Sequence, residues 1–149
     1  MGNTEHTQNI IHACTTLYVD YARHVDFGHY DRFVELFTDD AILNLGFELR
    51  GKDKIRRSMT RRSEELRSRH VLSNISIDVQ SESSATGIAY LTLYRNIGPE
   101  SLQAEAVMLR GPAAVGHYSN TFQLRDEGWR ISSCHLEFAF RDPAQFPNT

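Results

Sequence analysis

Residues 24–40, HVDFGHYDRFVELFTDD, pack two histidines and five carboxylates around Gly28, with Phe27, Tyr30, Phe33 and Phe37 set among them. A solvated helix face would space its charges at a regular period, and a disordered acidic tract would lack the aromatic residues. The pattern points instead to the bend of a helix hairpin. Upstream, Ile10, Ile11, Cys14, Leu17, Tyr18, Tyr21, Ala22 and Val25 recur at steps of three and four, which makes residues 7–26 an amphipathic helix. Gly28 breaks it, and Phe33, Val34, Leu36 and Phe37 supply the inward face of a second, short helix. Asp26 then lies at the bend, where a buried carboxylate would need a partner from elsewhere in the chain.

Beyond the hairpin, AILNLGFEL (residues 41–49) reads as a short strand pair. GKDKIRRSMTRRSEELRSR (51–69) reads as a third, highly charged helix with Ile55, Met59 and Leu66 as a sparse apolar stripe. The period then changes from about 3.6 to 2. HVLSNISIDVQ (70–80), ATGIAYLTLYRNI (85–97), LQAEAVMLRG (102–111), AAVGHYSNTFQLRD (113–126) and GWRISSCHLEFAF (128–140) are read as strands, with a hairpin turn at Asp126, Glu127 and Gly128. Helices followed by strands with short connections predict an α+β class: a cone-shaped α+β barrel in which a strongly curved mixed or antiparallel sheet is covered by three N-terminal helices. The chain is expected to be one domain over residues 1–149, with a short tail from about residue 141.

With 149 residues, 40 % apolar and 23 % charged, the chain can bury a core and enclose a pocket, and its net charge of −3 lacks the basic excess of a nucleic-acid binder. No apolar run is long enough to span a membrane and no leader pattern opens the chain, so a cytoplasmic protein is expected. Cys14 and Cys134 match no Cys-x-x-Cys pattern and sit in apolar surroundings; buried free thiols are the expectation. His24, Asp26 and His29 are good metal ligands by type, but at a hairpin bend the two imidazoles would point apart, so no metal is expected.

The order LYVDYARHVDFGHYDRFVELFTDDAIL (17–43), a charged helix, RHVLSNISI (69–77) and GHYSNTFQLRDEGWRISS (116–133) resembles the SnoaL-like branch of the nuclear transport factor 2-like superfamily. Its lyase members include scytalone dehydratase, bile-acid dehydratase and hexachlorocyclohexane dehydrochlorinase. The resemblance implies that Asp26 holds His70, that His70 takes a proton from the substrate, and that Tyr21 assists. It implies no cofactor. Where scytalone dehydratase carries a second histidine, this chain offers Tyr94 and Arg95.

Residue chemistry is compatible with that pairing. A histidine is about the right strength for a general base at neutral pH, and a carboxylate behind it fixes the tautomer. Each residue also has a plain structural reading, Asp26 as a cap and His70 as a strand residue. Tyr94, His135, Met108, Phe122 and Phe37 are the candidates for lining a pocket for a small hydrophobic, cyclic or aromatic hydroxy-carbonyl substrate. The expected function is a small dehydratase-like lyase, with a polyketide cyclase or ketosteroid-type isomerase as the nearest variant. A non-catalytic module, like the small subunit of a ring-hydroxylating dioxygenase, is the rival. Late strands with apolar residues on both alternating sets, such as AEAVML and HLEFAF, predict a homo-oligomer, trimer or dimer, through the outer face of the sheet.

Overall fold

The computed structural model describes residues 2–146. Helix α1 (Gly2–Asp26) runs into a short helix α2 (Tyr30–Val34), strands β1 (Phe37–Asn44) and β2 (Glu48–Arg50), and helix α3 (Lys52–Thr60). Four long strands follow: β3 (Leu66–Val79), β4 (Ser84–Ile97), β5 (Ala114–Arg125) and β6 (Gly128–Arg141). The six strands form one sheet in the order β2-β1-β6-β5-β4-β3. Strands β3 to β6 make an antiparallel meander and β1 joins β6 in parallel, so the sheet is mixed and β3 is an edge. None of the helices among the described residues is long and apolar enough to cross a membrane.

The strands bend at bulges. In β3 the pairing passes from Ser73–Tyr90 to Ser76–Ile88, so β3 carries one extra residue there, and Asn74 takes the left-handed conformation at φ 51°. That step lets Leu72 and Ile75 both pack against the core. Strand β6 bulges twice, between Ile131 and Ser133 and between Phe138 and Phe140. At the second bulge its backbone presses on β5 so closely that a Cβ at Gly116 would lie 2.1 Å from the Glu137 carbonyl oxygen. Only glycine fits there.

The concave face closes over Tyr18, Tyr21, Phe33, Phe37, Leu43, Ile55, Leu91, Tyr118, Phe122 and Ile131. Tyr18 meets Phe122 edge-on at 5.4 Å, and Tyr21 packs on Phe33 at 4.9 Å and on Tyr118 at 5.0 Å. Cys14 and Cys134 are free and buried in this core, and burial pushes the Cys14 thiol up to about 12.

Three local expectations are corrected. Helix α3 stops at Thr60, because the Ser63 hydroxyl accepts the Glu65 N–H and turns the chain; Leu66 consequently starts β3. Phe37 is buried as expected but opens β1 instead of closing α2. Residues 102–111 form no strand: a 3-10 turn at Pro99–Leu102 leads into an irregular connection. Its carbonyls at Ser101, Gln103 and Glu105 are taken by the Arg67 guanidinium, so no neighbouring strand is needed to satisfy them.

Phe122 is fully buried. Phe122→Ala is expected to lower stability by about 3–5 kcal/mol, the range for deleting a large core aromatic. Urea denaturation measures it, and a loss below 1 kcal/mol would place Phe122 outside the packed core.

Candidate functional site

An aspartate in the last turn of a helix faces the negative end of the helix dipole, an unfavourable position unless donors compensate. Asp26 occupies that position in α1. The helix ends beyond it in a Schellman-type stop: Gly28 adopts φ 73°, and the His29 N–H donates to the His24 carbonyl at 2.9 Å. This fixes the direction in which the Asp26 side chain leaves the helix.

The donors come from β3. The Ser68 hydroxyl donates to Asp26 Oδ1 at 2.8 Å, and the His70 backbone N–H donates to Oδ2 at 2.7 Å. His70 Nδ1 lies 2.6 Å from Oδ1. An ionised carboxylate only accepts, so Nδ1 carries the hydrogen and the Nε2 lone pair is left available. Among the described residues Nε2 has no hydrogen-bond partner. The Asp26 and His70 side chains are 6 % and 10 % exposed, which makes this a largely desolvated pair. The arrangement also answers a problem of the sheet, because an edge strand presents unpaired N–H groups and Asp26 covers one of them.

Asp26 and His70 border a groove of about 260 Å³ that is open to solvent. Val19, Ala22 and Arg23 of α1 form one wall, Leu72 and Ile75 of β3 the other, and Phe27 stands at the rim with the Arg69 guanidinium 4.9 Å above its ring. The expected enclosed pocket is therefore an open groove. The aromatic core fills the cone axis where the enclosure would have been.

The remaining candidates fall in three places. Tyr21 lies in the core and not on the groove; burial first, then the neighbouring Tyr118 hydroxyl and Cys134 thiol, hold its hydroxyl well above the usual phenol range. Phe37 and Phe122 are packing residues with no exposed surface. Tyr94 faces the convex side, because Leu91 and Leu93 set the inward phase of β4 and Arg95 continues it. Met108 is 83 % exposed on the irregular connection and shares a surface cleft with Tyr94.

His135 is also on the convex face. The bulge after Ile131 shifts the alternation by one residue, turning Cys134 inward and His135 outward, where it lies 3.5 Å from Glu137. His117 approaches the same carboxylate at 3.6 Å. His24 and His29 have ring centres 5.9 Å apart, and no group of three potential metal ligands occurs among the described residues. Burial lowers the His24 pKa, partly offset by Asp20.

Ser68 was not singled out from the sequence, although a strand period of 2 puts it on the same face as His70, two residues away. Arg62 carries no sequence signal, whereas Arg95 stands beside Tyr94 where the resemblance places a second histidine; both arginines bury an Nε without a partner among the described residues.

The SnoaL-like domain pattern matches residues 8–135. No functionally curated protein matches the sequence. Among solved structures, a provisionally assigned scytalone dehydratase from Novosphingobium aromaticivorans is 21 % identical, with a TM-score of 0.78 over 93 % of this chain and 90 % of that one. A type 2 hexachlorocyclohexane dehydrochlorinase, LinA, is 18 % identical, with a TM-score of 0.77 over 93 % and 91 %. A nuclear transport factor 2-like protein with a cystatin-like fold, also from N. aromaticivorans, is 17 % identical, with a TM-score of 0.75 over 98 % and 94 %. At these identities the likeness is one of fold.

Burial raises the acid groups of Tyr18, Tyr21, Tyr118, Cys14 and Cys134 above their ordinary values of 10.0 and 9.0. The native chain therefore keeps protons that the unfolded chain releases, and the associated stability is complete below pH 9.0 and is lost progressively above it. The urea midpoint should hold up to that pH and fall beyond it. A midpoint that does not fall would mean these groups are not buried as described.

Proposed function

Because the chain belongs to the SnoaL-like family, we propose that it is a small cofactor-independent lyase of dehydratase type. It acts on a small hydrophobic, cyclic or aromatic hydroxy-carbonyl compound. One observation carries the reading: a buried carboxylate fixes His70 through Nδ1 and leaves Nε2 without a partner at the edge of a groove.

In this reading His70 Nε2 removes a proton from the carbon next to the substrate carbonyl. The C–H electron pair becomes the new C=C bond as the C–O bond to the neighbouring hydroxyl breaks. The proton returns to the departing oxygen from the His70 imidazolium, so water leaves and nothing is oxidised or reduced. Asp26 stabilises the imidazolium while it exists and prevents the ring from turning over. Ser68 and the His70 backbone N–H hold the carboxylate in place. Tyr21 retains its proton, and it is the candidate donor toward the leaving group or the enolate oxygen if substrate penetrates past the groove. Cyclase or isomerase chemistry would use the same proton abstraction.

The rival class, a non-catalytic module, is favoured by one specific feature, the aromatic packing of the cone axis. Turnover separates the two. With aromatic and alicyclic hydroxy-ketones as the screen, His70→Ala should abolish activity and leave the fold intact, because Ser68 and the backbone N–H still serve Asp26. Asp26→Asn should lower mainly kcat, by about 10²–10⁴-fold, since an amide cannot stabilise the imidazolium. Tyr21→Phe should cost about 10²-fold or less. A His70→Ala enzyme as fast as the parent would remove His70 from the mechanism.

We also propose a homo-oligomer through the convex face. Val71, Thr92, Val115 and Phe140 lie side by side across β3, β4, β5 and β6, with Tyr90 in the next row. Val71, Tyr90 and Phe140 are 50 %, 51 % and 73 % exposed. His117, His135 and Glu137 add hydrogen-bonding groups to the same face, which a self-complementary contact between copies can pair. Sedimentation at micromolar concentration should give a dimer or trimer, and Tyr90→Glu should dissociate it. A monomeric parent protein would contradict the proposal.

A further inference from the structure

Three arginines gather at the wide end of the cone. Arg95 follows Leu93 on the inward face of β4, Arg141 ends β6, and Arg62 follows α3. His70 pairs with Leu93, and Ser68 with Arg95. His70 and Arg95 are thus diagonal neighbours on one face of the sheet, about 7–8 Å apart at the backbone.

The Nε atoms of Arg62 and Arg95 are buried and donate to nothing among the described residues. Burial lowers the Arg95 pKa, and the charges that bear on it, those of Arg62 and Arg141, are both positive and lower it further. The ion pairs among the described residues involve other cations. Asp142, next to Arg141 in sequence, accepts instead from the Ala144 N–H and the Gln145 side chain, and Glu100, the acid nearest Arg95 in sequence, accepts from the Asn96 side chain. The Phe146 ring lies 4.6 Å from the Arg95 guanidinium and 4.4 Å from that of Arg141, stacking on the cations without neutralising them. A buried guanidinium N–H without an acceptor is costly, and two like charges placed together add to the cost. An anion removes both penalties. Arg95 also borders a small cleft of about 90 Å³, shared with Arg110 and Gln145, by which an anion can reach it.

We propose that Arg62 and Arg95 form a carboxylate-binding subsite, and that the ligand is an organic acid. A planar carboxylate matches the fork of a guanidinium, and Arg95 shares a face of the sheet with His70. The substrate assignment rests on the lyase reading, whereas carboxylate binding does not.

The test is calorimetric titration with a series of aromatic and alicyclic carboxylic acids, each paired with its primary amide. It uses the parent, Arg62→Gln, Arg95→Gln, Arg95→Lys and His70→Ala proteins, with Arg50→Gln as a control at an exposed arginine. Carboxylates should bind the parent, His70→Ala and Arg50→Gln proteins alike. Arg62→Gln and Arg95→Gln should each weaken binding about 10- to 100-fold, as for loss of a charge-assisted hydrogen bond, and Arg95→Lys should fall between. Amides should bind no better to the parent than to the Gln variants. Equal binding of acid and amide, undiminished affinity in either Gln variant, or no acid in the series binding the parent would overturn the subsite. Binding that survives His70→Ala without any turnover by the parent would sink the lyase reading alone.

Discussion

Asp26 accepts three hydrogen bonds from a single strand, and much of the architecture follows from that. The carboxylate stands where the helix dipole disfavours it, so its presence at the end of α1 depends on the donors of β3. In return it covers an N–H of an exposed edge strand and joins the C-terminal end of a 25-residue helix to the free side of the sheet. The same contact orients His70. Structural and chemical roles are therefore not separable at this residue: an account of Asp26 as a simple cap would leave the imidazole unexplained.

The bulges determine which side chains share space with that pair. The extra residue at Asn74 keeps Leu72 and Ile75 on one face and so completes a wall of the groove beside His70. The two bulges of β6 change its phase twice, turning Cys134 into the core and later placing Arg141 opposite Ala114 on the inward side. The aromatic core is complete without these polar groups. At the wide end stand Arg62, Arg95 and Arg141, and the charges that bear on Arg95 are those of the other two.

Much of the fold was legible in the sequence because it rests on periodicity. The three- and four-residue steps from Ile10 to Val25 mark α1, and alternation marks β4 and most of β5 and β6. Asp26 and His70 could be paired only through a family resemblance, since the 44 residues between them carry no geometric signal. The errors share a physical origin. Alternation reveals a strand but not which set points inward: Arg95, and not Tyr94, continues the phase of Leu91 and Leu93. One bulged residue near Ser132 sends His135 to the other face. The connection around Met108 looked like a strand because its apolar residues alternate, but a side chain, Arg67, satisfies its carbonyls. The aromatic filling of the cone depends on volumes brought together from α1, α2, β1 and β5, which no local pattern contains.

The central claim is that Asp26 holds neutral His70 with its hydrogen on Nδ1 and its lone pair on Nε2. Long-range nitrogen–proton correlation NMR of the imidazole reads this tautomer directly in the unliganded protein. The account predicts a protonated, hydrogen-bonded Nδ1 and an unprotonated Nε2 in the neutral form. A neutral ring protonated at Nε2, or signals averaged between the two tautomers, would contradict it.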